Sequence, residues 1–481
     1  MKRINVKSLL KIAGLILAIV SASFLTCVPV ALIYSEPYLP FIFSSVVVGI
    51  PGLILYFFVK APIQEEVNIR EGYLSVTLGW FVLVTAGTLP YFFSHTIKGT
   101  ENIFFETISG FTTTGASILR DVEIMPKSIL FWRSMTHWIG GIGIILLVIL
   151  ILPTLKVGGY NLFSLESSLK QKIHPKTKSI AFRLLLIYIG LTVAEVILLT
   201  LGGMKLFDSI CHSFGSVATG GFSTKNDGFA GYSPYIQYVG AIFMFLAATS
   251  YVVFYYIVKR NFQQVKKNEE FWFYIFFVTA CTVFVTMVLY VGTDRTFEHS
   301  FRDSFFQVIS QISCTGFAST DYMQWPQLGW FFMFIIMFAG GSTGSTTGGI
   351  KMARHLISLK NLRNLFIKLQ HPNAVNTIRL NGKIVTDDIN YLMLIFILLY
   401  VITFLAGMLI MQLAGTSVLE SAGASATSMA GIGPGLGASG NMGNYAHFPV
   451  VSKVTMMLLM LIGRLEIFTL YAIFTRSFWK N

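Results

Sequence analysis

The sequence predicts an all-α membrane protein: two leading transmembrane helices, then four pseudo-repeats of helix, re-entrant pore helix with filter loop, and helix, set around a central pore. Three observations carry this prediction. Apolar runs of membrane-spanning length recur along the chain, the basic residues gather in alternate loops, and a glycine-centred segment returns about every hundred residues.

Of 481 residues, 54% are apolar, 15% aromatic and only 12% charged, which is too apolar for a soluble domain of this length. About 20 helical residues cross the roughly 30 Å of bilayer hydrocarbon. Ten runs reach that length, over residues 9–34, 38–59, 73–93, 128–155, 180–202, 236–258, 271–291, 328–357, 389–413 and 449–474. The first is too long for a signal peptide and lacks a small-residue cleavage site, so it reads as a retained span.

The net charge of +13 is unevenly placed. Lys2, Arg3, Lys7 and Lys11 lie at the first span, and Lys170, Lys172, Lys176, Lys178 and Arg183 flank the fifth. Lys259, Arg260, Lys266 and Lys267 follow the sixth; Lys351, Arg354, Lys360, Arg363, Lys368, Arg379 and Lys383 end or follow the eighth. With ten alternating spans, all these groups share one side. The positive-inside rule then places both termini in the cytoplasm of a multi-pass protein. Charges that orient a membrane protein need no nucleic acid as partner. Cys27, Cys211, Cys281 and Cys314 show no paired spacing, so neither a disulfide framework nor a zinc site is indicated.

On the side opposite the basic loops lie four semi-polar stretches, residues 105–117, 211–223, 306–319 and 421–435, each too short to cross. Superposed, they align Gly115, Gly220, Gly316 and Gly433. Thr-Gly occurs in three of them, and Phe105-Glu-Thr-Ile-Ser109 matches Phe306-Gln-Val-Ile-Ser310 at equal offset. The repeats then cover residues 71–155, 178–265, 269–369 and 386–474, with the two extra spans in residues 1–70.

Irregular backbone cannot face lipid, because each unpaired carbonyl would cost several kcal/mol. Four such loops around one axis can aim their carbonyl oxygens at it, which is an ion-filter geometry. Glycine permits the positive φ and the close approach this requires. The preceding short helices would point the negative ends of their dipoles at the axis, favouring a cation. The candidate cation ligands are Thr113, Thr114 and Gly115; Ala218, Thr219 and Gly220; Cys314, Thr315 and Gly316; and Gly431, Ile432 and Gly433. Any one loop alone would also suit a tight turn or a small-residue helix contact. Four in register do not fit that reading.

The eighth span is interrupted by Gly340-Gly341-Ser-Thr-Gly344-Ser-Thr-Thr-Gly348-Gly349, followed by Ile350 and Lys351. No Gly-Lys-Ser/Thr ending follows, so it is not a phosphate-binding loop. It descends from the third filter loop and is read as a movable barrier beneath the filter; the alternative is a kink filled by neighbouring helices. Arg464 and Glu466 lie inside the last span, where an ionisable group must be sheltered. Arg464 is expected to contact carbonyls of residues 340–349 or to repel cations there; pairing with Glu466 and snorkelling to the surface are the alternatives.

His137, in His-Trp-Ile-Gly-Gly-Ile-Gly143, is expected to be a packed, hydrogen-bonded group. Residues 156–178 read as a helix lying on the cytoplasmic face. The basic stretch from His371 to Lys383 is either a docking surface or a solvated linker. With no HExxH or GxSxG motif, the chain is not read as an enzyme. A proton- or sodium-coupled symporter remains the second reading, since broken midplane helices occur there too. Its carboxylate candidates, Glu106, Asp208, Asp303 and Glu420, are expected near the pore-helix starts. A membrane anchor that only recruits a soluble ring would leave the repeated filters unexplained.

These residues together carry a resemblance. Gly110-Phe-Thr-Thr-Thr-Gly-Ala116, Ala218-Thr-Gly-Gly-Phe-Ser-Thr224, the His137–Gly143 run, Gly340–Gly349 with Lys351, His371-Pro with Arg379-Leu-Asn-Gly-Lys383, and Gly463-Arg-Leu-Glu466 resemble the TrkH/TrkG branch of the Trk/Ktr/HKT potassium-transport superfamily. The match spans essentially the whole chain, the two extra leading spans included. The resemblance implies potassium uptake across the bacterial inner membrane, a homodimer with one pore per subunit, and gating by the intramembrane loop. It also implies a cytosolic TrkA-type ring that binds nucleotide, leaving this chain without a cofactor and with potassium as its substrate. In related plant transporters, a serine in place of the first-loop glycine goes with sodium transport, so Gly115 implies potassium. The fourth loop departs from the pattern. Ala430-Gly-Ile-Gly-Pro434 stands where Asn-Asn-Leu-Gly-Pro is expected, and its side-chain amides are lost.

Overall fold

The computed structural model describes residues 5–59, 69–146, 174–373 and 376–479. Two long helices lead, α1 (Val6–Ile33) and α2 (Leu39–Phe58). The first unit comprises α3 (Ile69–Gly87), α4 (Leu89–Ser94), the short α5 (Thr100–Phe111) and α6 (Lys127–Leu146). In the second, α7 (His174–Leu201) and the short α8 (Leu206–Ala218) precede α9 (Pro234–Ala247), α10 (Tyr251–Val258) and α11 (Phe262–Lys266). The third contains α12 (Glu269–Gly292), α13 (Phe297–Ile312), α14 (Gln327–Ile336) and α15 (Met352–Gln370). A two-stranded hairpin, β1 (Arg379–Leu380) with β2 (Lys383–Ile384), leads to the fourth. That unit holds α16 (Asp387–Leu413), α17 (Val418–Ala430), α18 (Val450–Arg464), α19 (Ile467–Phe474) and α20 (Arg476–Trp479). The expected helix at residues 156–178 falls mostly outside the described residues.

Each unit is therefore a long helix, a short helix that stops partway, a loop, and a second helix. The second helices all start at a proline: Pro126 and Pro326 stand just before α6 and α14, Pro234 opens α9, and Pro449 precedes α18. Proline fits a helix start because the amide it lacks would have no intrahelical partner there. The long α12 is capped by Asn268, whose side-chain oxygen accepts the Phe271 amide at 2.9 Å.

Among the described residues, six helical segments are long and apolar enough to cross a membrane, one of them running through α3 and α4. Two of the expected spans break sharply instead: α9 and α10 meet at 95°, and α18 and α19 at 109°. The eighth is interrupted as expected, between α14 and α15. Of the fourth, α6 is described only as far as Leu146, and it is made unusually polar by Arg133 and His137. At the first bend, polar groups of the loop of residues 340–349 replace the missing helical bonds of α9 and α10; at the second, the Arg464 side chain reaches the same loop.

Apolar side chains cover the outside, with Leu413 89% exposed, Val291 83% and Phe474 81%, a surface compatible with lipid and not with water. The inside is mixed. Apolar clusters fill the space between helices, while the ends of the short helices bury Ser109, Thr113, Ser213, Ser216, Thr315, Thr427 and Ser428. Among the described residues the hydroxyls of Ser109, Thr113, Ser213, Thr427 and Ser428 have no partner, as groups lining a hydrated path would.

The leading helices dock through close glycines. A Cβ on Gly52 would lie 2.9 Å from the Leu17 Cβ, and one on Gly14 would lie 2.8 Å from the Leu55 Cβ. Gly52→Leu is expected to cost about 1–3 kcal/mol through overpacking. Its measure is a lower melting temperature of the detergent-solubilised protein, with Gly203→Ala, in open space but at positive φ, as a backbone control.

Candidate functional site

The four short helices α5, α8, α13 and α17 end at the same kind of backbone turn. Just past each helix stands one left-handed residue: Thr113 (φ 52°), Thr219 (φ 55°), Cys314 (φ 54°) and Gly431 (φ 70°). Two residues later comes a glycine at positive φ: Gly115 (82°), Gly221 (78°), Gly316 (82°) and Gly433 (101°). Left-handed backbone is costly for side chains with a Cβ, so three non-glycine residues in it at one repeated position mark a constrained structure.

The four loops touch in sequence and close a ring. A Cβ on Gly115 would lie 2.0 Å from the Gly220 carbonyl oxygen, and one on Gly221 would lie 2.0 Å from that of Thr315. A Cβ on Gly316 would lie 1.7 Å from the Ile432 oxygen, and one on Gly433 would return 2.7 Å from that of Thr114. Each unit thus packs its glycine against the carbonyl that precedes the next unit's glycine. No side chain fits at any of these positions.

This geometry corrects the alignment by one residue. Gly221, not Gly220, is the backbone equivalent of Gly115, Gly316 and Gly433. The second triplet becomes Thr219, Gly220 and Gly221, and Ala218 belongs to the last turn of α8. The Gly220-Gly221 pair offers two registers to a sequence comparison, and Thr-Gly drew it to the wrong one. Gly220 has its own constraint: a Cβ there would lie 2.5 Å from the His137 ring.

Each loop is braced from behind. Glu106, fully buried in the middle of α5, accepts from the Ser117 hydroxyl at 2.9 Å and the Ile118 amide at 3.0 Å. Arg133 of α6 pairs with it at 2.6 Å, lies over the Phe222 ring at 3.4 Å, and donates to the Ser223 carbonyl at 3.0 Å. One buried ion pair therefore serves two adjacent loops. His212 reaches the Ser223 hydroxyl at 3.0 Å, and Gln307 donates to the Thr320 carbonyl at 3.1 Å. The fourth loop is held from outside its own helix: Tyr445 donates to the Gly433 carbonyl at 2.8 Å and Tyr322 to that of Gly435 at 2.5 Å.

His137 is packed, as expected. Its Nδ1 lies 2.7 Å from the Gly110 carbonyl, and its Nε2 accepts the Phe222 amide at 3.1 Å, which fixes the neutral tautomer protonated at Nδ1. Of the four carboxylates, Asp208 and Glu420 stand in the first turns of their helices, but Glu106 and Asp303 lie deeper. Asp303 is tied to Arg295 at 2.6 Å. On the outer loops, the hydrogen bond from Lys225 holds the Glu123 carboxyl below its ordinary pKa and links the first two units.

Beneath the ring, residues 340–349 form a compact buried loop. Its neck is closed by the Ala339–Ile350 bridge, by the Gly340 amide on the Ile350 carbonyl at 2.9 Å, and by the Met352 amide on the Gly341 carbonyl at 3.1 Å. It meets three short-helix ends. The Thr346 hydroxyl donates to the Val217 carbonyl at 3.2 Å, a Cβ on Gly348 would lie 2.1 Å from the Ala430 oxygen, and one on Gly349 3.5 Å from the Cys314 sulfur. Gly344 (φ 78°) and Gly349 (φ 66°) require glycine for their backbone. The loop also fills the break after α9: the Ser342 amide donates to the Ala248 carbonyl at 2.9 Å, and the Tyr251 amide to that of Gly344 at 3.1 Å. Lys351 folds back onto the Thr347 carbonyl and hydroxyl.

Arg464 donates to the Thr346 carbonyl at 2.8 Å and to the Gly140 carbonyl at 3.2 Å, so it joins the fourth unit to the third and first. Glu466 does not pair with it. That carboxylate turns away at φ 62° and binds Arg354 at 2.7 Å. Sequence reasoning did not foresee the Arg354–Glu466 or Arg133–Glu106 pairs. The signal for both was a buried-charge problem: charges inside predicted spans require partners.

Above the ring opens a vestibule of about 120 Å³ lined by Gly115, Gly221, Gly316 and Gly433 together with Ser117 and Asn441. Four re-entrant loops closing one ring below such a vestibule define a membrane protein of the pore-loop type. Its residues 44–480 match the TrkH family, described as a cation transport protein, and the chain belongs to that family. It is 36% identical over 427 residues to the Trk system potassium uptake protein TrkH of Salmonella typhimurium, covering 87% of this chain and 88% of that one. The TrkH of Halomonas elongata is 30% identical over 486 residues, covering 99% and 100%. The crystal structure of the potassium transporter TrkH from Vibrio parahaemolyticus matches with a TM-score of 0.91 at 30% identity, over 99% of this chain and 100% of that one. The fold class and the family resemblance read from the sequence are both borne out, and the relatives are named as transport proteins, not enzymes.

Two outcomes follow from the ring and its brace. Glu106→Ala leaves Arg133 buried without its partner and is expected to cost about 3–5 kcal/mol, measured as thermal unfolding in detergent. Gly221→Ala is expected to abolish ion uptake in cells lacking their own potassium transporters, because its Cβ has no room beside the Thr315 oxygen.

Proposed function

We propose that this chain takes up potassium across the bacterial inner membrane through a gated, channel-like pore. The observation that carries the reading is the closed ring of four glycine-carbonyl contacts at the ends of four short helices. Carbonyl oxygens in such rings replace the water shell of a monovalent cation, and the helix ends add negative potential. The cation ligands are drawn from Thr113, Thr114 and Gly115; Thr219, Gly220 and Gly221; Cys314, Thr315 and Gly316; and Gly431, Ile432 and Gly433. Potassium as the ion is supported by the relatives, which are named potassium uptake proteins.

Residues 340–349, with Gly340, Gly341, Gly344, Gly348, Gly349 and Lys351, form the barrier below this filter, and Arg464 holds it closed. Among the described residues its guanidinium bonds only carbonyls and so leaves a positive charge beside the path, which repels cations until the loop moves. The basic face is cytoplasmic on the positive-inside rule. There a TrkA-type nucleotide-binding ring acts on a homodimer of this chain; the Trk system names of the relatives support a partner subunit.

A coupled symporter has one observation in its favour. Glu195 on α7 is fully buried, and among the described residues neither of its carboxylate oxygens has a partner at hydrogen-bond geometry. The test is flux from liposomes containing the purified protein, with potassium, rubidium, sodium or lithium, with and without a pH gradient. Flux that follows voltage and ignores the pH gradient supports the channel-like reading; flux driven by the pH gradient, and lost in Glu195→Gln, supports symport.

In the same assay Gly115→Ser is expected to lower potassium-over-sodium discrimination, and unchanged selectivity would remove Gly115 from the filter. Arg464→Ala, or deletion within residues 340–349, is expected to raise basal flux. An unchanged basal rate in both would sink the barrier assignment.

A further inference from the structure

We infer that Glu269 and Glu270, neighbours at the start of α12, form a relay that ties the hairpin β1–β2 on the basic face to the loop of residues 340–349. The inference rests on reading that loop as the barrier, and it identifies the groups through which a pull on the basic face reaches it.

The hairpin is a rigid lever. Asn381 (φ 52°) and Gly382 (φ 74°) form its two-residue turn, the pair that left-handed hairpin turns favour. Leu380 is buried and packs with Ala353, Ile357, Val385 and Met393, so the hairpin sits on the first turns of α15, the helix that leaves the loop. Its turn also grips α12. The Asn381 side-chain oxygen accepts the Glu269 amide at 2.7 Å. Lys360 of α15 bonds the Glu269 carboxylate and donates to the Arg379 carbonyl at 2.6 Å.

The next residue faces the other way. One carboxylate oxygen of Glu270, which is buried, accepts the Thr343 amide at 2.6 Å and the Ala353 amide at 3.0 Å. Thr343 lies in the incoming arm of the loop, and Ala353 is the second residue of α15. The Ala353 amide belongs to a first helical turn, where no carbonyl of the same helix can accept it. Glu270 therefore caps α15 from a neighbouring helix, and its negative charge suits the positive end of that helix. A single oxygen holds both ends of the loop together.

Moving the hairpin displaces Glu269. Because one helical turn is stiff, Glu270 moves with it, and the two amides on its oxygen separate or realign. No carbonyl or carboxylate elsewhere takes the Thr343 amide among the described residues, so losing Glu270 frees that arm. A mutant cycle tests the coupling directly.

The full chain is reconstituted in liposomes and basal potassium flux is measured. Glu270→Ala removes both acceptances and is expected to raise flux about tenfold, the change in equilibrium that one charge-assisted hydrogen bond commands. Glu270→Gln keeps an accepting oxygen and is expected to stay nearer the parent. Asn381→Ala is expected to raise flux in the parent and to add nothing in the Glu270→Ala background. Amide exchange supplies a readout that does not need the alanine variant to fold: Asn381→Ala is expected to speed exchange at Thr343 and Ala353.

Additive effects of the two alanine substitutions, or unchanged exchange at Thr343 and Ala353, overturn the relay. If Arg464→Ala still raises flux in that case, the barrier stands and only the relay fails. If neither Arg464→Ala nor Glu270→Ala raises flux, the barrier reading itself falls.

Discussion

Every backbone amide and carbonyl at membrane depth needs a partner that lipid cannot supply, and the organisation of this protein follows from that constraint. Four short helices stop inside the structure, and each leaves carbonyls without intrahelical donors. Those groups cannot point outward. They converge on one axis, where the glycine of each loop rests on a carbonyl of the next, so that four chain reversals shelter one another. The same constraint explains the bend between α9 and α10. The α9–α10 break exposes the Ala248 carbonyl and the Tyr251 amide, and the loop of residues 340–349 supplies Ser342 and Gly344 to meet them.

Charge placement adds a second layer. Arg133 and Arg354 each have a carboxylate, Glu106 and Glu466, and each also lies over an aromatic ring, Phe222 and Phe396. Pairing offsets the large cost of removing such charges from water. Arg464 is treated differently. Its acceptors are the Thr346 and Gly140 carbonyls, and among the described residues no carboxylate pairs with it. Its field is therefore reduced by dipoles but not cancelled by an opposite charge, which is the physical basis of the barrier assigned to it.

The loop beneath the ring thus has a support on each side. Arg464 holds its middle from the fourth unit, and Glu270 holds its two ends from the first helix of its own unit. All of these supports are hydrogen bonds to the loop's backbone, so they define its position directly. Of its buried hydroxyls, Thr346 bonds the short-helix carbonyl of Val217, while Ser345 bonds the Ser342 carbonyl and the Thr347 hydroxyl within the loop.

Much of this was legible in the chain itself. Composition and run length set the membrane class, the alternation of basic residues set the orientation expected of it, and the glycine-centred segments announced four related loops. Those signals are local and additive, so they survive without three-dimensional information. The register of the second loop was not legible, because Gly220 and Gly221 are equivalent in sequence and only backbone dihedrals tell them apart. Nor were the sharp bends of α9 with α10 and α18 with α19, whose apolar composition reads as continuous span; the first exists because a loop distant in sequence, residues 340–349, satisfies the interrupted backbone. Partner choice was the last to be decided. Glu466 is two residues from Arg464 yet binds Arg354, since a left-handed turn carries its carboxylate to the other side of the helix, a matter of direction in space that spacing along the chain does not contain.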